Sequence, residues 1–476
     1  MGLRSMCCSI LLGSLLAVPA LGQSSSTSAE QPANSTPQGT QASVSASASA
    51  FQQENTAKVP STGIEIVRTM EDIRERILLD KIDQLEKRLS ELEARGASSA
   101  APAAAGGQAP ASTAPAAAPP TQDPAPASSP TWSVGPVDFS GLVDGYYSFN
   151  ANHPASQFNQ LYNFDVKANQ FSLNMAKLSM SHTADPVGFQ VDLGFGRAFD
   201  IIHAGELSTA PSFLRNVEQA YITLKPAQLK GLQIDVGQFV TSAGAEVIET
   251  HSNWNYSRSL LFAWAIPYYH FGLRTSFPVG KHFTGGVQVV NGWNDTEDNN
   301  SGKTVGLTGT FTTTKFAWTN TYYGGPENTG TNTGWRQLYD TVLLLTPNSR
   351  VNAYFNFDYG QNRQNLSDGL GGFTPFVAKW YGVAGALHFQ PTSKWAFTPR
   401  VEWFKDSDGF STGTAQDLKE FTLTGEYKML EGFFTRFEYR RDWSNVPFFD
   451  QNSNPASKKN QDTLALGFVA FFGPKR

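Results

Sequence analysis

Cysteine is nearly missing from this chain of 476 residues: there are two, Cys7 and Cys8, and both stand near its start. They precede an apolar run, Ile10 to Val18, which with Arg4 before it and Ala20-Leu21-Gly22 after it has the three parts of a secretory signal peptide. Cysteines ahead of the run rather than after it argue against a lipid anchor. Cleavage after Gly22 leaves an exported chain without disulfides, held only by its hydrogen-bond ladder and burial, as a closed barrel is.

Long apolar runs are also missing beyond residue 20, which excludes membrane-spanning helices. Charge is scarce, at 16% of residues with a net of -5, so no nucleic-acid footprint is expected. The histidines His153, His182, His203, His251, His270, His282 and His388 show no pairing at metal-ligand spacing. No cofactor or metal is therefore expected. Gly409-Phe410-Ser411-Thr412-Gly413 fits G-x-S-x-G, but a nucleophile elbow needs a strand before it and a helix after it, and this segment reads as a loop between two strands. No enzyme is expected. Asp406, Asp408 and the run Asp295 to Asn300 fall in polar links whose oxygen density suits calcium, or bridging to lipopolysaccharide through divalent ions, with a plain solvated loop as the alternative.

What the chain has is aromatics, at 12%, and 42 glycines, a composition suited to strands and turns. In Gly432 to Arg440, Phe433, Thr435, Phe437 and Tyr439 share one face, and Phe434, Arg436, Glu438 and Arg440 the other. The same writing recurs. Trp395, Phe397, Val401 and Trp403 alternate with Thr398, Arg400 and Glu402; Phe421, Leu423 and Tyr427 alternate with Thr422, Thr424, Glu426 and Lys428. Apolar residues on one face and polar ones on the other, over about ten residues, suit strands that meet lipid outside and an aqueous lumen inside.

Short links fall at Ala184–Val187, Pro226–Gly231, Pro278–Lys281, Thr312–Lys315, Pro347–Arg350, Pro391–Lys394 and Met429–Gly432. Longer polar ones fall near Ala151–Lys167, Ile201–Phe213, Ala243–Ala265, Asn294–Gly302, Gly325–Trp335, Gln361–Ala378, Asp406–Ala415 and Asn445–Asn460. Their alternation predicts an all-β, transmembrane antiparallel β-barrel of about 16 strands, with both chain ends on the side of the short turns. Aromatics at Tyr146, Tyr147, Trp293, Tyr322, Tyr323, Trp380, Tyr381, Trp395, Trp403 and Trp443 are expected at the lipid interface.

Ahead of the barrel, the organisation reads as a signal peptide over 1–22, a disordered leader over 23–60, a coiled-coil segment over 61–95 and an Ala/Pro-rich linker over 96–136, with the barrel over 137–476. The coiled coil rests on Ile66, Met70, Ile73 and Ile77, continued after a one-residue slip by Leu78, Ile82, Leu85, Leu89 and Leu92. Such a seam asks for partners, and the spacer after it can bury nothing.

The segments G-L-V-D-G-Y-Y (141–147), V-E-Q-A-Y-I-T (217–223), G-Q-F-V (237–240), N-Y-S-R-S-L-L-F (255–262) and R-F-E-Y-R-R-D (436–442) resemble the putative β-barrel porin-2 family of bacterial outer-membrane porins. The resemblance covers about Val137 to Phe472. It implies an outer-membrane barrel passing small hydrophilic solutes or ions, and carries over no site residues. One departure is that Phe471 and Phe472 are followed by Gly473-Pro474-Lys475-Arg476, where such barrels usually end on an aromatic.

In sixteen-stranded porins the third long loop folds inward, and here that loop is Ala243–Ala265. Its Glu246, Glu249, His251 and Arg258 are the candidates for a pore constriction, and Arg400, Glu402, Glu426, Arg436, Glu438 and Arg440 for the lumen wall, with weak ion selectivity expected from their mixed signs. The expected partners are outer-membrane lipid and lipopolysaccharide, two further copies in a homotrimer, and small hydrophilic solutes, with peptidoglycan contact through a periplasmic N-terminal stalk. The competing readings are a structural tether to the cell wall and a phosphate- or sugar-specific channel.

Overall fold

The computed structural model describes residues 132–206, 212–229, 231–367 and 373–473. The signal peptide, leader, coiled coil and most of the linker lie outside them. Sixteen antiparallel strands pair each with the next from Val137–Asn150 to Asn460–Phe472, and the last pairs back onto the first, Leu466 facing Tyr147. The sheet is closed. A three-residue strand, Trp132–Val134, adds a stub to Val137–Asn150 without entering the ring. Closure leaves no unpaired edge, so every backbone polar group in the wall can be satisfied where water is excluded. No helix among the described residues is long and apolar enough to cross a membrane.

Period two decides which side chains face outward. Phe171, Phe195, Leu273, Val289, Leu307, Trp318, Phe355, Leu387, Phe397, Val401, Leu423, Phe437 and Leu466 are exposed, and their neighbours in sequence point inward. Seven connections of two to eight residues lie at one end of the barrel and eight lie at the other, of which all but the one after Val351–Ser367 run to eight residues or more.

Two expectations need correction. The link Gln361–Ala378 is mostly strand: Val351–Ser367 and Phe373–Phe389 pair from Val351↔Phe389 through Gln361↔Lys379 to Ser367↔Phe373, leaving five residues between them. The ladder is made by the backbone, so polar side chains do not end it. The aromatic pairs also divide. Tyr146, Tyr323 and Trp380 are buried inside the barrel, whereas Tyr147, Tyr322 and Tyr381 lie on the outer face. Adjacent residues in a strand cannot share a face.

The core lies inside the ring. The first long loop contributes Leu161 and Phe164, the helix Arg197–Ile202 contributes Phe199 and Ile202, and the third loop contributes Trp254, Tyr256, Leu260, Leu261 and Phe262. These pack on Tyr146, Leu338, Tyr354, Trp380 and Phe404 of the wall. Glycine makes the room: a Cβ at inward-facing Gly467 would overlap the Tyr256 ring, and one at Gly194 the Phe199 ring. The first loop is fixed on the third by Trp264 Nε1 donating to Leu161 O at 3.1 Å and by the Phe164–Phe262 ring contact, with centroids 5.9 Å apart.

Candidate functional site

The third loop leaves the strand Gln233–Val240, runs inside the barrel and rejoins the wall at Tyr269. Chain inside a barrel cannot add to the ladder, so its carbonyl and N–H groups need other partners. Side chains on distant strands supply them.

Arginines bind the carbonyls. Arg436 Nη1 donates to Thr250 O at 2.8 Å and Asn255 O at 2.9 Å, and its Nη2 donates to Asn253 O. Arg440 Nη1 donates to Arg258 O at 2.7 Å, and Arg400 Nη1 to Ser257 O at 2.8 Å. Glutamates take the N–H groups. Glu438 accepts from Tyr256 N at 2.6 Å and Ser257 N at 2.9 Å, and Glu402 accepts from Leu261 N at 3.3 Å. Glu426 reaches the loop only indirectly, through its ion pair with Arg436 at 2.8 Å. The six wall candidates thus lie on one side of the lumen, and five of them touch the loop directly.

Of the four loop candidates, Glu246 faces that wall, Glu249 and His251 face other strands, and Arg258 faces the loop itself. Glu246 pairs with Arg400 Nη1 at 2.8 Å and also caps the turn that follows, accepting from Ser259 N at 2.6 Å. Glu249 pairs with Lys177 Nζ on the strand Gln170–His182. Burial alone would push its carboxyl up, but the Lys177 ammonium outweighs this and holds it down at about 2. His251 stacks on Phe471 with ring centroids 5.0 Å apart. Arg258 is buried and turned back on its own loop, donating to Val247 O at 2.9 Å, Tyr256 O at 2.6 Å and Ile248 O at 2.6 Å. Its guanidinium holds the loop's shape.

Several participants have no counterpart among the candidates drawn from the sequence. Glu420 stands directly opposite both Glu402 and Asp442 in the ladder, a repulsive arrangement that Arg400 and Arg440 offset: Arg400 Nε lies 3.1 Å from Glu402 and 3.3 Å from Glu420, and Arg440 Nη2 lies 2.8 Å from Asp442. Continuing the inward series of each strand by one position finds both acids, since Glu420 precedes Thr422 and Asp442 follows Arg440. Lys177 sits among Asp192 at 3.3 Å, Glu218 at 3.0 Å and Glu249, where the three carboxylates are close enough to share a metal ion. The ammonium takes the place such an ion would need. Asp144 accepts from Asn174 Nδ2 at 2.7 Å, Tyr256 OH at 2.6 Å and the Thr250 hydroxyl. Nothing in the local sequence marks these partners, because they come from separate strands and from the third loop.

In the first long loop, Asp165 is buried against the same wall. Burial and then Glu438 push its carboxyl up to about 7, against the pull of Arg440 and Arg258. At the long-loop end, Asp295 is raised to about 7 by burial and Glu327. Asp406 is engaged by its own loop: it accepts from Phe410 N, Ser411 N and Thr412 N at 2.7 to 3.0 Å, which makes the glycine-rich G-F-S-T-G segment a turn folded around one carboxylate. Asp408 is likewise engaged, accepting from Lys379 N at 2.9 Å.

The family described as "Putative beta-barrel porin-2, OmpL-like" matches residues 136–472. Among curated proteins, none matches the chain. Solved barrels align at low identity. OmpT of Vibrio cholerae is 11% identical with a TM-score of 0.47, covering 72% of this chain and 100% of its own. OmpF of Salmonella typhi, solved with daunomycin, is 15% identical with a TM-score of 0.48 over 71% and 97%. The channel DcaP of Acinetobacter baumannii is 11% identical with a TM-score of 0.45 over 71% and 97%.

Proposed function

The chain belongs to the Putative beta-barrel porin-2, OmpL-like family and is an outer-membrane porin, and from that premise we propose that it is a passive channel for small hydrophilic solutes or ions, narrowed by its third loop. One observation carries the reading. The loop body from Glu246 to Leu261 is bound to the charged strands and, through Glu249, Thr250 and Tyr256, to the first two strands, whereas its entrance reaches the opposite arc, with Ser242 N donating to Tyr323 OH at 3.2 Å.

The passage then runs between the loop and the strands Phe283–Val290, Thr304–Thr312 and Phe316–Pro326, whose partly exposed inward residues include Thr284, Thr308, Thr310 and Thr319. Hydroxyls there replace part of a solute's hydration without a strong field, which suits weak ion selectivity. Lowering the barrier to crossing lipid needs no catalysed step. In this reading three copies associate, the short turns face the periplasm, and the segment 61–95 forms a periplasmic coiled-coil stalk within reach of peptidoglycan. The outer loops meet lipopolysaccharide.

Single-channel conductance of the refolded full chain in planar bilayers, with and without residues 243–265, tests the channel. Openings in threes that grow severalfold after deletion are expected. Folded protein without conductance would move the assignment to a tether.

A further inference from the structure

Most carboxylates on the inner wall have a cation or several donors at hand. Arg274 Nε lies 2.8 Å from Asp235, Arg400 serves Glu246, Glu402 and Glu420, and Lys177 serves Asp192, Glu218 and Glu249. Asp144 has no basic side chain in contact among the described residues but accepts from three donors. Asp340 and Asp358 are provided for differently.

These two face one another directly across the ladder between the strands Trp335–Asn348 and Val351–Ser367, and both are fully buried. Asp340 Oδ2 accepts from Asn356 Nδ2 at 2.8 Å, and the Gly244 amide faces the same carboxyl. Asp340 Oδ1 and both oxygens of Asp358 find no donor in good hydrogen-bond geometry among the described residues, and Asp358 lies close enough to Asp340 and Asn356 to interact directly with both. Opposed side chains in an antiparallel pair stand roughly 5 Å apart at Cβ, so the free oxygens converge on one small volume. A further charge acting on Asp358 is that of Glu402, also acidic, and the guanidinium beside Glu402 is shared among three carboxylates. An interior so short of positive charge asks for a counter-ion.

We propose that Asp340 and Asp358 bind a hard divalent cation of the calcium class, and that this ion pins the entrance of the third loop to the wall. The free ligand atoms are all carboxylate oxygens, which suit calcium with bound water completing its shell. The loop entrance lies against the same place. Thr321, opposite Asp340 on the next strand, donates from its hydroxyl to Ser242 O at 3.1 Å, and Asn356 Oδ1 accepts from Ala245 N at 3.3 Å. The site does not depend on transport, so it stands or falls apart from the channel reading.

The test uses the full chain refolded in calcium, dialysed against calcium-free buffer, with metal content read by mass spectrometry and melting by circular dichroism. One calcium retained per chain is expected, with melting at least 5 °C lower after chelation. The substitutions Asp340→Asn and Asp358→Asn, in protein shown to be folded by its heat-modifiable gel mobility, should each lower retention at least tenfold. Asp298→Asn with Asp408→Asn in the outer loops should leave it unchanged, and this pair decides the matter if the inner variants do not fold. Metal-free wild type whose melting ignores chelator would overturn the proposal, and melting that rises as pH falls would then point to a proton shared by the two carboxyls. So would undiminished retention in the inner variants, or loss in the outer-loop pair.

Discussion

Two arcs of the same barrel are written in different alphabets. The strands Phe283–Val290, Thr304–Thr312 and Phe316–Pro326 contain no Asp, Glu, Lys or Arg, whereas Trp395–Asp406, Gln416–Leu430 and Phe433–Ser444 carry Arg400, Glu402, Glu420, Glu426, Arg436, Glu438, Arg440 and Asp442 on their inner face alone. Both arcs present apolar residues to the outside and both pair continuously. The difference is the third loop. Where it is docked, the wall supplies guanidinium donors for its carbonyls and carboxylates for its N–H groups; where it is not, hydroxyls and glycines suffice. Charge in this lumen serves first to hold a piece of irregular backbone.

The comparison breaks most visibly at Arg400. Arg400→Ala leaves Glu246, Glu402 and Glu420 buried without their shared cation and should cost about 3–5 kcal/mol, since removing one partner strands the others. Urea unfolding from lipid vesicles should show an earlier transition, and limited proteolysis should cut the freed loop; an unchanged midpoint would mean that the charged arc is not what seats it.

Asp165 sharpens the comparison through pH. Its folded carboxyl, at about 7, lies above its ordinary value of 3.8, so the folded protein keeps a proton that the unfolded chain loses. Stability should therefore fall as pH rises from about 4 to about 7. Glu249 runs the other way. Held down at about 2 from 4.5, it contributes stability that is complete above 4.5 and lost as pH falls toward 2. Melting curves of Asp165→Asn should lose the decline between pH 4 and 7, while Glu249→Gln should lose the acid limb.

On the uncharged arc, Thr310→Lys should leave melting within a degree or two, because the site is partly exposed and no loop is docked there. It should shift the anion-to-cation permeability ratio, read from reversal potentials, by about threefold toward anions. A stability loss as large as that of Arg400→Ala would erase the distinction between the arcs. The smallest effect is expected from Glu426→Gln, whose pair with Arg436 is partly exposed: about 0.5 kcal/mol in the same unfolding measurement, with conductance unchanged.

Much of the charged arc is legible in the sequence. The inward rows Arg400–Glu402 and Arg436–Glu438–Arg440 follow from period two alone, and the turn signals between strands place the seven tight turns and all the long links but Gln361–Ala378. Glu420 and Asp442 needed only one more step along the same rows. Lys177 did not yield to that logic, since a lone lysine in Gln170–His182 becomes meaningful only beside Asp192, Glu218 and Glu249 from two other strands and a loop. Arg258 carried a charge that suggested a lumen field, yet its bonds close on its own loop.

By itself the sequence determined most of the wall: the strand count, nearly all the turns and the two-sided alternation of each strand, which is local to the strand and indifferent to what fills the middle. The tertiary structure alone decided what the inward charges do. Their partners are backbone groups of a loop more than a hundred residues away, as when Arg436 reaches Thr250 O, and a carbonyl has no side-chain signature in the sequence that could announce it.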